Sequence, residues 1–144
     1  NMSAAACVTL LKQRSGVPAL SDGIFSYIRD LDKAAEEGNE AAQLALDKFA
    51  YEVRKYTGAY TAALGGLDCL VFTAGVGENQ EGVRWDSCSG LEYLGVKMDK
   101  ERNHCRGVEQ VLSADDSKVQ VVMIPTDEAI VIARDTVELV SMGK

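Results

Sequence analysis

The chain has 144 residues, of which 47% are hydrophobic and 26% are charged, and its formal net charge is −7 at pH 7. This composition is typical of one globular domain and excludes a disordered, collagen-like or low-complexity protein. The acidic balance argues against a nucleic-acid partner, because phosphate backbones are bound by basic surfaces and the chain has no run of Lys and Arg.

Four cysteines, Cys7, Cys69, Cys88 and Cys105, are scattered without a C-x-x-C pair. We expect four reduced thiols, because the apolar content suffices for a core and the first residues do not resemble a signal peptide. Cys69 lies in an apolar run and is predicted to be a small core residue. No uninterrupted apolar stretch approaches the ~20 residues of a membrane span. The expected location is therefore cytoplasmic, with no membrane partner.

The first part of the chain predicts short helices. Ser3 is a candidate N-cap for a helix over residues 2–13. Residues 19–30 mix Gly, Ser and Asp with apolar residues and are predicted to be irregular. Asp30 is a candidate cap for a helix over residues 31–37.

The strongest helical signal lies between Glu40 and Leu64, where apolar residues recur at steps of three and four. Asn39 is a plausible N-cap, and Gly65 is expected to end the helix. At about 1.5 Å per residue, this helix is some 37 Å long and is expected to cross the whole domain. Its predicted apolar face consists of Ala42, Leu46, Phe49, Val53, Tyr56, Tyr60 and Leu64.

A strand, a loop and a short helix are predicted next. Residues 67–74 (LDCLVFTA) are short, continuous and rich in strand formers, which is typical of a strand buried on both faces of a sheet. The glycine-containing segment 75–79 follows directly, and residues 80–88 have the pattern of a short helix.

Two further strands and a helix complete the pattern. Residues 108–112 and 118–124 are predicted strands joined by a turn, and Thr126 is expected to cap the last helix. This alternation indicates an α/β domain. We expect residues 67–74 at the centre of the sheet, flanked by the long helix and the last helix.

The segment TAGVGEN, residues 73–79, is the first candidate site. Gly75 and Gly77 allow the backbone to approach a ligand, and amides at the start of a following helix favour an anion. On spacing alone the segment fits either a nucleotide-binding loop or an ordinary strand–helix connection. It is not a P-loop, and Gln80 stands where a dinucleotide fingerprint has its third Gly.

Of three other polar positions, two, Glu128 and Arg29, admit both a functional and a structural interpretation. Glu128 lies in the first turn of the last helix, where the helix dipole stabilises acids in any protein but where a carboxylate can also hold Mg²⁺. Arg29 either pairs with Asp30 or Asp32 on the surface or contributes to a site. His104, with no second histidine and no nearby acid, is predicted to be a solvated side chain.

Three phrases occur in order along the chain: GAYTAALGGLD at 58–68, VFTAGVGEN at 71–79 and MIPTDEAIVIARDT at 123–136. Together they resemble the C-terminal part of the acetate/propionate/butyrate kinase family, which has (A/G)-G-I-G-E-N after a strand and then I-P-T-N-E-E and I-A-R-D/E-T. The resemblance implies part of a two-domain, ribonuclease-H-like, actin-like ATPase fold of the sugar-kinase type, with ATP in the cleft. It also implies reversible, Mg²⁺-dependent phosphoryl transfer from ATP to acetate, giving acetyl phosphate and ADP.

The resemblance carries roles onto matching positions. It implies that the nucleotide is bound by Ile28, Arg29, Gly75, Val76, Gly77, Glu78 and Asn79, and that Glu128 is the acid associated with Mg²⁺. Three positions depart from the family pattern. Tyr27 replaces an Asp of S-S-D-Φ-R-D, where Φ is apolar, and this removes a carboxylate expected near the nucleotide. Asp127 and Ala129 replace the Asn and the second Glu of P-T-N-E-E.

The family's catalytic Asn, Arg, His and Asp residues lie outside the matched segment. The resemblance therefore implies that residues 1–144 form a single domain, the nucleotide-side C-terminal part of an acetate kinase, without catalytic residues and inactive alone. Because family members are homodimers, a homodimer is expected, with the helix over residues 2–13 contributing. Two alternatives stay open: a propionate or butyrate kinase, and a non-catalytic nucleotide-binding or structural α/β module.

Overall fold

The computed structural model describes residues 2–21, 23 and 27–142. In this part of the chain, helices alternate with a small sheet, so the predicted α/β class is confirmed. The α-helices are α1 (Ala4–Gln13), α2 (Val17–Leu20), α3 (Ile28–Glu36), α4 (Glu40–Leu64), α5 (Ala74–Asn79), α6 (Glu81–Cys88), α7 (Lys100–Asn103) and α8 (Glu128–Met142), and a 3₁₀ helix spans Glu92–Leu94. The strands are β1 (Cys69–Phe72), β2 (Gln110–Val111) and β3 (Gln120–Met123).

The N-terminal helix forms as predicted. The Ser3 hydroxyl accepts a hydrogen bond from the Ala6 N–H at 3.2 Å, which caps α1. The next helix, α2, falls partly within the stretch 19–30, which was predicted to be irregular. It starts where Pro18 occupies the first turn, a position at which a missing N–H costs no hydrogen bond.

Helix α3 begins at Ile28 rather than at residue 31, so the predicted boundary and cap are wrong. Tyr27 occupies the N-cap position, and Asp30 lies inside the first turn, where the helix dipole favours an acid. Burial of Leu31 and Ala34 gives the helix a packed face, and this tertiary contact extends it beyond its local capping signal. Residues 22 and 24–26 of the predicted irregular stretch lie outside the described residues.

Helix α4 has the predicted limits. The Asn39 side chain accepts a hydrogen bond from the Ala42 N–H at 3.0 Å, and Gly65 ends the helix with φ 78°. The first half of the helix buries Ala42 and Leu46. The second half of the predicted face is exposed, to 77% at Leu64. Among the described residues, therefore, only part of the predicted apolar face is packed.

The sheet has the order β1-β3-β2, with β1 parallel and β2 antiparallel to β3. Residues 108–124 therefore supply strands to the same sheet as β1, as predicted. The prediction that β1 is central and buried on both faces is wrong, because β1 is an edge strand of the described sheet, Val71 is 48% exposed and Cys69 is exposed. Among the described residues, one face of the sheet is covered, by the cluster that includes Val121 and Met123, while Val71 and Val111 are exposed.

Two apolar clusters form the described core, and α6 joins them. The first packs the covered sheet face against the end of α6 and the following segment: Phe72, Cys88, Leu91, Val96, Leu112, Val119, Val121 and Met123. The second packs α3, α4 and α6 together: Leu31, Ala34, Ala42, Ala45, Leu46 and Val83. Because α6 contributes Val83 to one cluster and Cys88 to the other, it fixes the helical layer relative to the sheet.

Helix α8 is exposed along its whole described length, so the prediction that it flanks β1 is wrong. It starts after Pro125, which has no N–H to donate to a strand ladder. The predicted cap is also shifted by one residue. The Asp127 side chain, not Thr126, accepts a hydrogen bond from the Ile130 N–H at 3.0 Å.

All four cysteines are free, as expected. Cys69 is exposed, however, which overturns its predicted place in the core. Cys88 is buried, and desolvation raises the pKa of its thiol to about 12. Among the described helices, none combines the length and the apolar character needed to cross a bilayer.

Candidate functional site

The two candidate segments meet at one edge of the sheet. Segment 73–79 follows β1 and segment 124–128 follows β3, and these strands are parallel, with Phe72 opposite Met123. The Ile124 N–H donates to the Phe72 carbonyl at 3.0 Å, so the two segments leave the sheet side by side. In open α/β sheets, ligands bind outside the carboxyl ends of the strands.

The predicted loop after β1 is a short helix, α5. It starts at Ala74, which has φ 59°, a left-handed conformation that only glycine adopts without strain. Gly75 is exposed, and a Cβ built on it would meet no atom within 4 Å. Gly77 is buried, and its Cβ would lie 3.2 Å from the backbone carbonyl carbon of Phe72. The two glycines therefore serve different purposes: Gly75 leaves the backbone open, whereas Gly77 allows α5 to pack on the end of β1.

Glu78 connects the two segments. Its carboxylate accepts hydrogen bonds from the Thr126 N–H at 2.8 Å and from the Thr126 hydroxyl at 2.9 Å. The backbone bond from Thr126, followed by the hydroxyl bond, lowers the pKa of Glu78 because both stabilise the charged form. The Glu78 side chain thus holds the start of the 124–128 segment against α5.

Glu128 is exposed in the first turn of α8, two residues beyond Thr126. Its carboxylate has no hydrogen bond or ion pair with any described residue. The described residues contain no cluster of three or more His, Cys, Asp or Glu side chains that could hold a metal ion. A single free carboxylate nevertheless fits Mg²⁺, which keeps several waters and takes its other ligands from substrate phosphates.

A cavity of about 820 Å³ opens beside α5, between α3, α4, α6 and residues 104–106. Two residues with predicted nucleotide roles, Arg29 and Asn79, line it. Arg29 is also 3.5 Å from Asp30 and its side chain is 76% exposed, as the surface interpretation predicted. The charged lining comprises Arg29, Lys33 and Arg106 together with Asp32, Glu36, Glu81 and Asp86.

The carboxylates of this cavity are partly desolvated. Burial raises the pKa of Asp32, and the nearby charges of Glu36 and Asp86 raise it further. Burial also raises the pKa of Asp86. With both signs of charge on its walls, the cavity suits a polar ligand rich in hydrogen-bonding groups rather than a bare polyanion.

The other predicted nucleotide residues have different surroundings. Ile28 and Val76 pack against the helical core cluster, so their side chains face the protein interior. His104 is solvated as predicted, with a side chain that is 82% exposed. The expectation that it has no nearby acid is wrong, because Glu81 Oε2 lies 2.7 Å from its Nδ1. These residues are 23 positions apart, and only the packing of α6 against α7 brings them together.

Sequence reasoning missed the cavity acids Asp32, Glu36 and Asp86, and also Arg84, which is buried beneath the cavity wall. The acids lie on α3 and α6 in patterns that equally describe solvated helix faces. Arg84 follows the glycine-containing segment on a short helix, and nothing in the local pattern distinguishes it from an exposed arginine.

Comparison with known proteins gives consistent matches. The profile of the Acetokinase family matches residues 1–134. The acetate kinase of Azobacteroides pseudotrichonymphae genomovar. CFP2 is 50% identical over 141 residues, which cover 98% of this chain and 35% of that protein. The chain thus spans about a third of the length of the curated relatives it matches.

Solved structures match as well. The crystal structure of Porphyromonas gingivalis acetate kinase superposes with a TM-score of 0.87 at 44% identity, covering 96% of this chain and 35% of that one. A propionate kinase from Francisella tularensis subsp. tularensis SCHU S4 superposes with a TM-score of 0.77 at 29% identity, and the match covers 88% of this chain and 32% of that one. The fold is therefore part of the actin-like ATPase type that the sequence resemblance implied. Since the family profile covers most of its residues, the chain belongs to the acetokinase family.

Proposed function

We propose that this chain forms the nucleotide-side domain of an acetate kinase and binds ATP or ADP with Mg²⁺. The observation that carries the proposal is the meeting of segments 73–79 and 124–128 at the carboxyl ends of two parallel strands, beside a polar cavity. The proposed reaction is reversible phosphoryl transfer between ATP and acetate. Its proposed location is the cytoplasm.

The cavity is the proposed site of the adenosine part of the nucleotide. Asn79 lines it and donates from Nδ2 to the Gly75 carbonyl at 2.8 Å, while its side-chain oxygen has no partner among the described residues. That oxygen is available to accept a hydrogen bond from a base amino group. Asp32 and Glu36 offer carboxylate acceptors for the ribose hydroxyls. They could therefore take this role in the absence of the family's Asp, which is replaced here by Tyr27.

The phosphates are proposed to extend over the open backbone at Gly75 toward Glu128. Mg²⁺, when bound, would neutralise charge on the phosphates, and Glu128 is its proposed carboxylate ligand. Glu78 holds these two segments together through Thr126 and so positions both ends of the phosphate path. Phosphoryl transfer depends largely on such positioning, and this chain supplies it for the nucleotide only.

From the family resemblance we infer that the residues contacting acetate and the transferred phosphoryl group lie in parts of the relatives that this chain does not match. The 144 residues alone are therefore expected to bind nucleotide weakly and not to turn over. The product of the complete coding sequence is expected to form acetyl phosphate from ATP and acetate, measured as the hydroxamate. Absence of acetyl phosphate from that product would contradict the proposed function.

Substitution of Gly75 tests the site. Gly75→Val adds a side chain where the protein has open space, so the fold should be retained while close approach of the phosphates is blocked. We expect the Kd for ADP, measured by calorimetry on the product of the complete coding sequence, to rise at least about tenfold. Gly66→Val is the matched control, because a Cβ there also meets no atom within 4 Å but the position lies outside the site. Unchanged ADP binding in Gly75→Val would exclude this path for the phosphates.

The same assay tests the metal ligand. Glu128→Ala should weaken binding of ADP in the presence of Mg²⁺ more than binding of ADP in EDTA, because only the metal-bound form uses the carboxylate. Glu138→Ala, an exposed acid further along α8, is the control. Equal losses with and without Mg²⁺ would remove Glu128 from the proposed metal site.

A propionate or butyrate kinase is the second candidate function, supported by the structural match to the Francisella tularensis propionate kinase. The acetate kinases match at higher identity, which favours acetate. The ratio of kcat/KM values for acetate, propionate and butyrate decides between them, because discrimination among these acids resides in that ratio.

A further inference from the structure

Arg84 is a buried cation without a carboxylate partner among the described residues. It lies on α6, its relative exposure is 0%, and it forms no ion pair with a described residue. Burying a guanidinium is costly unless its donors are hydrogen-bonded, and a well-packed apolar residue at the same position would avoid that cost. Its directional contacts therefore need an explanation beyond packing.

The Arg84 guanidinium joins two segments through neutral oxygens. Nη1 donates to the Gly77 carbonyl at 2.9 Å, within α5. Nε donates to the Asn103 side-chain oxygen at 2.9 Å. Nη2 donates to the carbonyls of Asn103 and Cys105 at 2.6 and 2.9 Å. Asn103 ends α7, so its carbonyl has no partner within the helix, and it accepts from Arg84 as well as from the Cys105 N–H at 2.8 Å.

Both joined segments form walls of the cavity. Asn79 and Gln80 follow Gly77 and line it on one side, and residues 104–106 line it on the other. Two further bonds strengthen the connection: Asn103 Nδ2 donates to the Glu81 carbonyl at 3.0 Å, and the Gly107 N–H donates to the Glu78 carbonyl at 3.2 Å. The planar guanidinium has its donors in a fixed geometry, so it sets the spacing of the two walls.

We infer that Arg84 is a positioning residue for nucleotide binding, which holds α5 and the 103–105 turn at the separation that the adenosine part requires. This inference rests on the proposed function, since it assigns the cavity to the nucleotide. Arg84 lies beneath the wall and acts through the residues it holds, without contacting the ligand itself.

The test compares Arg84→Lys with Arg102→Lys in the product of the complete coding sequence, each assayed well below its melting temperature. Lysine keeps the charge but not the planar fork. Arg102 is the matched control, because its side chain also donates to a backbone carbonyl, that of Ser113 at 2.8 Å, but does not bond either of the two segments that Arg84 joins. We expect Arg84→Lys to raise the KM for ATP about tenfold, with kcat and the KM for acetate changed less than about twofold. Arg102→Lys should change none of the three.

Amide hydrogen exchange without ligand provides a second readout. In Arg84→Lys, the amides of residues 77–80 and 103–107 should exchange faster than in the wild type, because the bonds that hold these segments are weakened. If Arg84→Lys does not fold, Asn103→Ala replaces it, since this change removes one Arg84 bond and the bond to Glu81 but leaves the Gly77 contact.

An unchanged KM for ATP, or equal increases in the KM for ATP and for acetate, would overturn the inference while leaving the proposed function intact. A wild-type protein that forms no acetyl phosphate would instead contradict the proposed function. In that case, ADP binding and hydrogen exchange in the same variants decide the role of Arg84. Unaltered exchange in both segments would overturn it.

Discussion

Ala74 has the strained backbone at the start of the site. Its φ of 59° lies in the left-handed region, which costs roughly 1–2 kcal/mol for a residue that has a Cβ. It is the first residue of α5 and follows the last residue of β1 by two positions, where the chain must change direction. Such strain at a strand–helix junction is typical of functional sites.

Replacing Ala74 tests this strain. Ala74→Gly should stabilise the protein by up to about 1 kcal/mol, because relief of the strain exceeds the added entropy of the unfolded chain. Ala59→Gly, at an exposed position within α4, should instead destabilise it by about 1 kcal/mol. The urea midpoint at unchanged m-value reports both effects. A lower midpoint for Ala74→Gly would show that its backbone is not strained.

At Gly77, packing within the protein explains why the motif has a glycine. The spacing of the motif suggested that Gly77 lets a ligand approach the backbone. A Cβ built on it, however, would lie 3.2 Å from the carbonyl carbon of Phe72. Any substitution there would disturb the contact between α5 and β1 even without nucleotide. Gly75, two residues earlier, is therefore the better position at which to test ligand approach.

At the scale of elements, α5 and α8 are connected through Glu78 and Thr126. Because the folded pKa of Glu78 lies below its ordinary value of 4.5, the carboxylate contributes stability that is present above that value. The contribution is lost as the pH falls through the lowered pKa. Acidification should therefore release the start of α8 from α5.

Melting temperatures between about pH 3 and pH 7 test this connection. The wild type should lose stability toward the acid end more steeply than Glu78→Gln, which has no carboxylate to protonate. Thr126→Val, which removes the hydroxyl donor but keeps the backbone N–H, should give an intermediate slope. Parallel pH profiles for all three proteins would mean that the bond does not contribute to stability.

At the scale of the whole molecule, large apolar side chains remain exposed on α1, on α8 and on the open face of the sheet. Leu11 on α1 and Leu139 on α8 are examples. Exposed apolar surface of this extent marks an interaction site or favours association. The homodimer expected from the family resemblance is consistent with such a surface, and it stays a prediction.

Light scattering at about ten to a hundred micromolar tests association, a range in which weak apolar interfaces assemble. The chain is expected to form a dimer, and Leu11→Glu on α1 should weaken it. Leu44→Glu is the control, because Leu44 is also exposed but lies on α4. A monodisperse monomer of the unaltered chain would contradict the expected dimer, and equal dimerisation in both variants would exclude α1 from the interface.

The sequence by itself determined the features that depend on local signals. The limits of α4 follow from its period, its Asn39 cap and its terminal Gly65, all of which act within a few residues. The three phrases at residues 58–68, 71–79 and 123–136 together indicated the family, which the comparisons confirm.

Only the tertiary structure decided which apolar residues are buried and which polar residues meet. The apolar run of β1 is the same whether one face or both are covered, and burial depends on what packs against it from distant parts of the chain. Likewise, Arg84 is no different from a surface arginine until α6 places it between α5 and α7. Such contacts join residues far apart in sequence, so no local pattern specifies them.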